Sequence, residues 1–211
     1  IEPEVAATGM AAWTSGRILL ANHISWIDIF AINAVVPTRF IAKAEIGRWP
    51  LVGALVSLAG TLYVERGRRH AVHAINQKVA ERLKHGETIG VFPEGTTTDG
   101  STLLPFHANL VQPALDVGAE IRPVALRYTQ GGDLSSAASY IGEDTLIGSL
   151  LRIVAASRLA VEVTWLPALP TALDNRHVGA RHARQVIAQA LGPALDNTPR
   201  ASALEPFSPD A

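Results

Sequence analysis

Residues 17 to 44 constrain the fold more than any other stretch of the chain. "RILLAN" (17–22) and "RFIAKA" (39–44) are apolar runs of strand length, and "SWIDIFAINAVV" between them reads as a helix closed by Pro37. This is a unit of βαβ size, and the pattern continues. "LVGALVSLA" reads as a buried helix and "GTLYVER" (60–66) as a strand rich in branched and aromatic residues. In "RHAVHAINQKVAERLKH" (69–85), Val72, Ile75, Val79 and Leu83 recur at spacings of three and four, and Gly86 follows as a stop. "TIGVF" (88–92) is the next strand, then comes the polar loop "PEGTTTDGS" (93–101) and a helix through "HANLVQPALDVG", interrupted or begun late at Pro113. "AEIRPVALRY" reads as a strand that tolerates Pro123 only at an edge or a bulge. A helix over 144–156, a strand "LAVEVTWL" (159–166) and a helix over 175–191 complete the series. Strands alternating with helices predict an α/β fold, with a mostly parallel central sheet flanked by helices on both faces.

The 211 residues suit one domain, taken as 1–192, with the Pro- and Asp-punctuated 193–211 read as a mobile tail. A net charge of −1 leaves no global basic field of the kind that drives nucleic-acid binding, so an anion has to be held locally. The absence of cysteine excludes disulfides, thiolate metal sites and a cysteine nucleophile. The most membrane-like segment, "WPLVGALVSLAGTLYV", is shorter than the about 20 residues of a spanning helix. The N-terminal residues lack the basic and apolar regions of a secretory signal.

In sheets of this kind, sites gather beyond the carboxyl ends of strands. Three polar clusters fall there: "ANHISWID", the "ER" ending "GTLYVER", and "PEGTTTDG". Five helical steps would put His23 and Asp28 about 140° apart, so His23 has to precede the helix, with Asp28 reaching back from its first turn. Asp28 would then fix the imidazole tautomer and leave the other ring nitrogen free to take a proton. The plainer alternative is that Asn22 or Ser25 caps the helix and the polar groups are satisfied locally. Ser25 lacks the Gly-x-Ser-x-Gly elbow of an exposed nucleophile and reads as a cap. Pro93 and Gly95 force a tight turn around Glu94, and Lys43, Arg66, Arg68 and Arg69 are cations near the same edge. The histidine pairs His70/His73 and His177/His182 have no acid or cysteine at ligand spacing, so no metal site is expected.

In order along the chain, these clusters resemble the glycerolipid acyltransferase superfamily, in particular its bacterial 1-acylglycerol-3-phosphate acyltransferase branch. "NHISWID" resembles the first block, "GTLYVER" the second, "VFPEGTT" the third and "IRPVALRY" the fourth, and "FIAKAEIGRWPLVG" resembles the segment between the first two. The resemblance implies transfer of a fatty acyl group from acyl-CoA or acyl carrier protein to a lysophospholipid hydroxyl, with 1-acylglycerol-3-phosphate as the leading acceptor, giving phosphatidic acid. It implies His23 as general base and Asp28 as its holder, Arg66 as the ligand of the acceptor phosphate, and Glu94, Gly95 and Thr96 as shaping the acceptor site. Lys43 would be a further phosphate ligand. No cofactor is implied beyond the thioester co-substrate. Members commonly carry an N-terminal membrane helix, so an anchor ahead of Ile1 and a place on the cytoplasmic face of the bacterial inner membrane are expected.

One departure bears on the acceptor. Thr97 and Thr98 follow where phosphatidic-acid-forming members often carry Arg or Ser, which leaves room for a lyso-ornithine lipid or another lysolipid. A thioesterase or lipase working through water or Ser25, and a non-catalytic lipid- or carrier-binding module, are the alternatives. The presence of His23, Asp28, Arg66 and Glu94 together argues against the last.

Overall fold

The computed structural model describes residues 4–8, 16–44, 47, 53, 60–64, 69–170 and 172–192. Its elements in chain order are β1 (Glu4–Thr8), β2 (Arg17–Ala21), α1 (Asp28–Asn33), β3 (Arg39–Lys43), β4 (Leu62–Val64), α2 (Arg69–Lys84), β5 (Thr88–Val91), α3 (Gln112–Val117), β6 (Glu120–Gln130), β7 (Asp133–Leu134), α4 (Leu146–Ala155), β8 (Leu159–Trp165) and α5 (Arg176–Leu191). The helix read through "LVGALVSLA", residues 65–68 and the tail 193–211 lie outside the described residues, apart from Gly53.

The eight strands form one sheet in the order β1-β8-β6-β2-β5-β3-β4, with β7 paired to β6. The pairs of β6 with β7 and β8 are antiparallel and the rest are parallel. Central β2 is buried along its whole length, as a strand covered on both faces must be. Leu19 and Ala21 point into a core shared with Ile29 and Ile32 of α1 and Leu126 of β6. Ile18 and Leu20 point to the other face, against Ile75, Val79 and Leu83 of α2 and Ala180 and Ala183 of α5. The mostly parallel, doubly covered sheet expected from the alternation is therefore present. β1, which nothing in the apolar pattern singled out, extends the sheet beyond β8.

Pro123 corrects one expectation, because it lies in β6, between β2 and β8, at neither an edge nor a bulge. The N–H and C=O of a strand residue point to the same side. The carbonyl of Pro123 accepts from Leu166 N–H at 3.1 Å, so the donor it lacks would face that same flank, just past Trp165, the last paired residue of β8. The Leu166 carbonyl left without that partner takes Arg122 Nη1 at 3.2 Å instead. The proline is tolerated because the ladder has ended and a guanidinium replaces its missing donor.

The crossover from β2 leads towards β3 and the connection from β5 leads back past β2 to β6. The carboxyl ends of adjacent β2 and β5 thus flank a topological switch point, the place where such sheets bind ligands. Where β2 begins, Gly16 lies against the end of α2, and a Cβ there would sit 1.9 Å from the Leu83 carbonyl oxygen. Gly16→Ala is expected to cost about 1–3 kcal/mol by overpacking, read as a lowered urea midpoint with an unchanged slope.

Candidate active site

The chain leaves β2 through Asn22, which is 3% exposed. Its side-chain amide donates to Leu126 O at 2.9 Å and accepts from Leu126 N–H at 2.7 Å, prolonging the β2–β6 ladder by imitating a peptide group. Asn22 is therefore a bridge to β6. Ser25 is not a cap either: α1 has no side-chain cap, and the contact of Ile27 N–H with Ser25 Oγ is 3.5 Å long. The local satisfaction comes from Asp28, the first residue of α1. Its Oδ2 accepts from Ile24 N–H at 2.8 Å and Ser25 N–H at 2.9 Å.

Asp28 Oδ2 also lies 2.8 Å from His23 Nδ1, and Oδ1 accepts from the Tyr128 hydroxyl at 2.7 Å. Three donors, Ile24 N–H, Ser25 N–H and the Tyr128 hydroxyl, already point at this carboxyl group, and as a carboxylate it offers His23 Nδ1 an acceptor, which turns Nε2 away from it. Asp28 is fully buried, whereas the His23 side chain is 20% exposed. His23 stands ahead of the helix and Asp28 reaches back to it, as the spacing required. Phe92, the residue after β5, stacks on the His23 ring with centroids 4.0 Å apart and planes 8° from parallel, and Phe40 stacks behind Phe92.

The second loop is clamped onto the first. Gly95 N–H bonds Phe92 O at 3.1 Å, closing a turn with Pro93 and Glu94 at its corners, and Gly95 takes φ +74°, which glycine adopts without strain. Glu94 points inward, accepting from His23 N–H and Leu104 N–H, both at 2.8 Å. Arg184 of α5 holds the Leu103 and Leu104 carbonyls at 2.6 and 3.0 Å, securing that strap from behind. Thr98 N–H bonds the His23 carbonyl at 2.8 Å, and the Thr97 hydroxyl donates to Tyr140 O. Gly95 and Thr96 are exposed at the turn.

The structure thus brings His23, Asp28, Glu94, Gly95 and Thr96 to one edge of the sheet. Lys43 is the last residue of β3, at that same edge. Arg66 lies outside the described residues. Tyr128 and Phe92 were not picked out in the sequence as site residues. Both fall within quoted blocks, and the signal available was the register of β6, which turns Val124, Leu126 and Tyr128 to the α1 side.

A mostly parallel α/β sheet with a histidine at its switch point, held by a buried carboxylate, is the geometry of the candidate site. Residues 4–127 match the Acyltransferase family, and the chain belongs to it. It is 40% identical over 188 residues to the lyso-ornithine lipid O-acyltransferase of Pseudomonas aeruginosa, covering 89% of this chain and 72% of that protein. It is 41% identical over 152 residues to the 1-acyl-sn-glycerol-3-phosphate acyltransferase of Neisseria gonorrhoeae, covering 72% of this chain and 60% of that one. The crystal structure of the 1-acyl-sn-glycerophosphate acyltransferase of Thermotoga maritima shares the fold, with a TM-score of 0.62 at 20% identity over 90% of this chain and 71% of that one.

Burial pushes Glu94 up to about 8, although two backbone donors and Arg184 oppose it. The same carboxyl ionises near 4.5 when solvated. Between these values the unfolded chain has lost a proton that the folded chain keeps, so stability falls as pH rises through that window. Glu94→Gln removes this contribution, and its urea midpoint is expected to fall less than that of the wild type between about pH 5 and 8. Parallel profiles would show Glu94 ionised throughout. Burial and Asp28 hold the Tyr128 phenol well above its ordinary value, so it stays a donor. Tyr128→Phe leaves the buried carboxylate short of one partner, with an expected loss of about 1–3 kcal/mol in chemical denaturation.

Proposed function

We propose that this chain is a lysolipid O-acyltransferase, moving an acyl group from a coenzyme A or carrier-protein thioester to a lysolipid hydroxyl. The observation that carries the reading is the His23–Asp28–Tyr128 chain, whose one open end is His23 Nε2. Nε2 takes the proton of the acceptor hydroxyl as its oxygen attacks the thioester carbonyl. Asp28 stabilises the imidazolium that forms, and Phe92 holds the ring plane. Collapse of the tetrahedral intermediate breaks the carbon–sulfur bond, and the thiolate leaves with the proton that His23 had taken. Glu94 acts through the backbone, fixing His23 by its N–H, while Gly95 and Thr96 line the approach. Lys43 and Arg66 would supply cations for the head group.

Two observations favour lyso-ornithine lipid as the acceptor. The lyso-ornithine relative matches more of this chain than the glycerophosphate one. The third block carries Thr97, whose hydroxyl is spent on Tyr140 O, where a phosphate-pairing cation would otherwise stand. 1-Acylglycerol-3-phosphate is the second reading, favoured by the Neisseria relative at 41% identity. In either case the enzyme works at the membrane that holds its acceptor.

His23→Ala is expected to lower transfer about 10²- to 10⁴-fold with an unchanged circular dichroism spectrum, and with a lowered thermal midpoint because buried Asp28 loses a partner, as it does in Tyr128→Phe. Wild-type turnover in the purified variant would overturn the mechanism. A panel of lysolipids with a labelled palmitoyl thioester decides the head group, and thioester loss without any acceptor would indicate a hydrolase.

A further inference from the structure

Helix α4 has the sequence LIGSLLRIVA and is apolar almost all round. Ser149 is buried, and Leu146 and Ile153 pack on the core shared with α1. A second apolar stripe, at spacing i, i+3, i+4 and i+7, faces outward: Ile147, Leu150, Leu151 and Val154 are 72, 43, 64 and 58% exposed. Ile141, in the turn leading to the helix, is 42% exposed. Scattered apolar residues on a surface need no explanation, but a contiguous stripe on one helix marks an interaction surface.

Three hydrogen bonds tie this surface to the candidate site. Trp26, between His23 and Asp28, donates from Nε1 to Ser149 Oγ at 3.2 Å on the inner side of α4. Tyr140 N–H bonds Ile24 O at 3.0 Å, and Tyr140 O accepts from Thr97 of the Glu94 loop. The stripe therefore stands at the rim of the same two loops. The one charge on the helix, Arg152, is drawn back into the protein, bonding Asp144 at 2.9 and 3.1 Å and the Ala137 and Ser139 carbonyls. It leaves the outward stripe without a free cation.

We infer that this stripe docks the enzyme on a lipid bilayer, with α4 lying in the plane of the interface. The inference rests on the lysolipid reading, because an acceptor held in a bilayer has to be met at its surface. The size of the patch favours lipid over protein. Among the described residues its five exposed apolar side chains fall far short of the roughly 20–30 residues a side of a stable protein interface, whereas an interfacial helix needs only one apolar face sunk ~5–10 Å. With Arg152 paired, attachment comes from apolar burial and needs no anionic lipid. A docked α4 holds the loops of His23 and Glu94 at the boundary from which a lysolipid can enter.

Flotation of the purified chain with phosphatidylcholine vesicles tests this. The wild type is expected to float with the vesicles, with little dependence on salt. Combined Ile147→Ser, Leu151→Ser and Val154→Ser should lower vesicle partitioning at least about tenfold with an unchanged circular dichroism spectrum. Single Leu151→Gln should give a smaller fall and guards against a folding defect in the triple variant. Transfer to a lysolipid embedded in vesicles should fall in parallel, while transfer to a short-chain, water-soluble lysolipid holds at the wild-type rate. His23→Ala should float like the wild type. Equal partitioning of wild type and triple variant would overturn the inference, and so would a wild-type dimer that does not float and that the triple variant dissolves. Flotation reads docking without turnover, so absence of lysolipid transfer by the wild type would fell the functional reading while the partitioning result still judged the docking surface.

Discussion

The buried carboxylate of Asp28 is the constraint on which the site depends. A charge with no exposure is tolerated only if donors surround it, and losing one partner of such a group costs several kcal/mol. Asp28 gathers its donors from the N–H groups of Ile24 and Ser25, from His23 and from Tyr128 a hundred residues on. These bonds hold the turn between β2 and α1 in a form that points Nδ1 of His23 inward and leaves Nε2 as the open end. The tautomer follows from the electrostatics of burial.

The rest of the site is a set of clamps on that turn. Glu94 and Thr98 hold the two backbone polar groups of His23, its N–H and its carbonyl, while Phe92 supports the ring. Each belongs to the segment following β5, which the switch point sets beside β2. Arg184 then fixes the strap that supplies the other donor of Glu94. A histidine in the proposed role of base needs its geometry held to within a fraction of an ångström, and packed, hydrogen-bonded neighbours on strand ends hold it better than a free loop does. The high affinity of Glu94 for its proton follows from the same enclosure.

Helix α4 has a share in both the site and the surface. Its inner side accepts the indole of Trp26, and its outer side is apolar without being covered. A soluble domain would place polar residues at Ile147, Leu151 and Val154, so the conflict between local pattern and solvent is itself informative. Bilayer docking resolves that conflict without requiring a spanning helix, and among the described residues no helix is long and apolar enough to cross a membrane.

By itself the sequence determined the alternation of strands and helices, and with it a mostly parallel sheet, because periods of two and of three to four are written locally in the apolar residues. It also determined that His23 precedes a helix and that Asp28 can turn back to it, since five residues leave little choice. The placement of β1 at the far edge, the central position of Pro123 and the union of Tyr128 with Asp28 were decided only in the tertiary structure. Each depends on which strand lies beside which: Pro123 is acceptable because β8 stops at Trp165 and Arg122 is within reach of Leu166 O, neither of which is a property of the local sequence. Ser25 had the appearance of a cap for the same reason. Its rival for the backbone donors was a carboxylate three residues on, and burial, which local sequence does not record, gave them to Asp28.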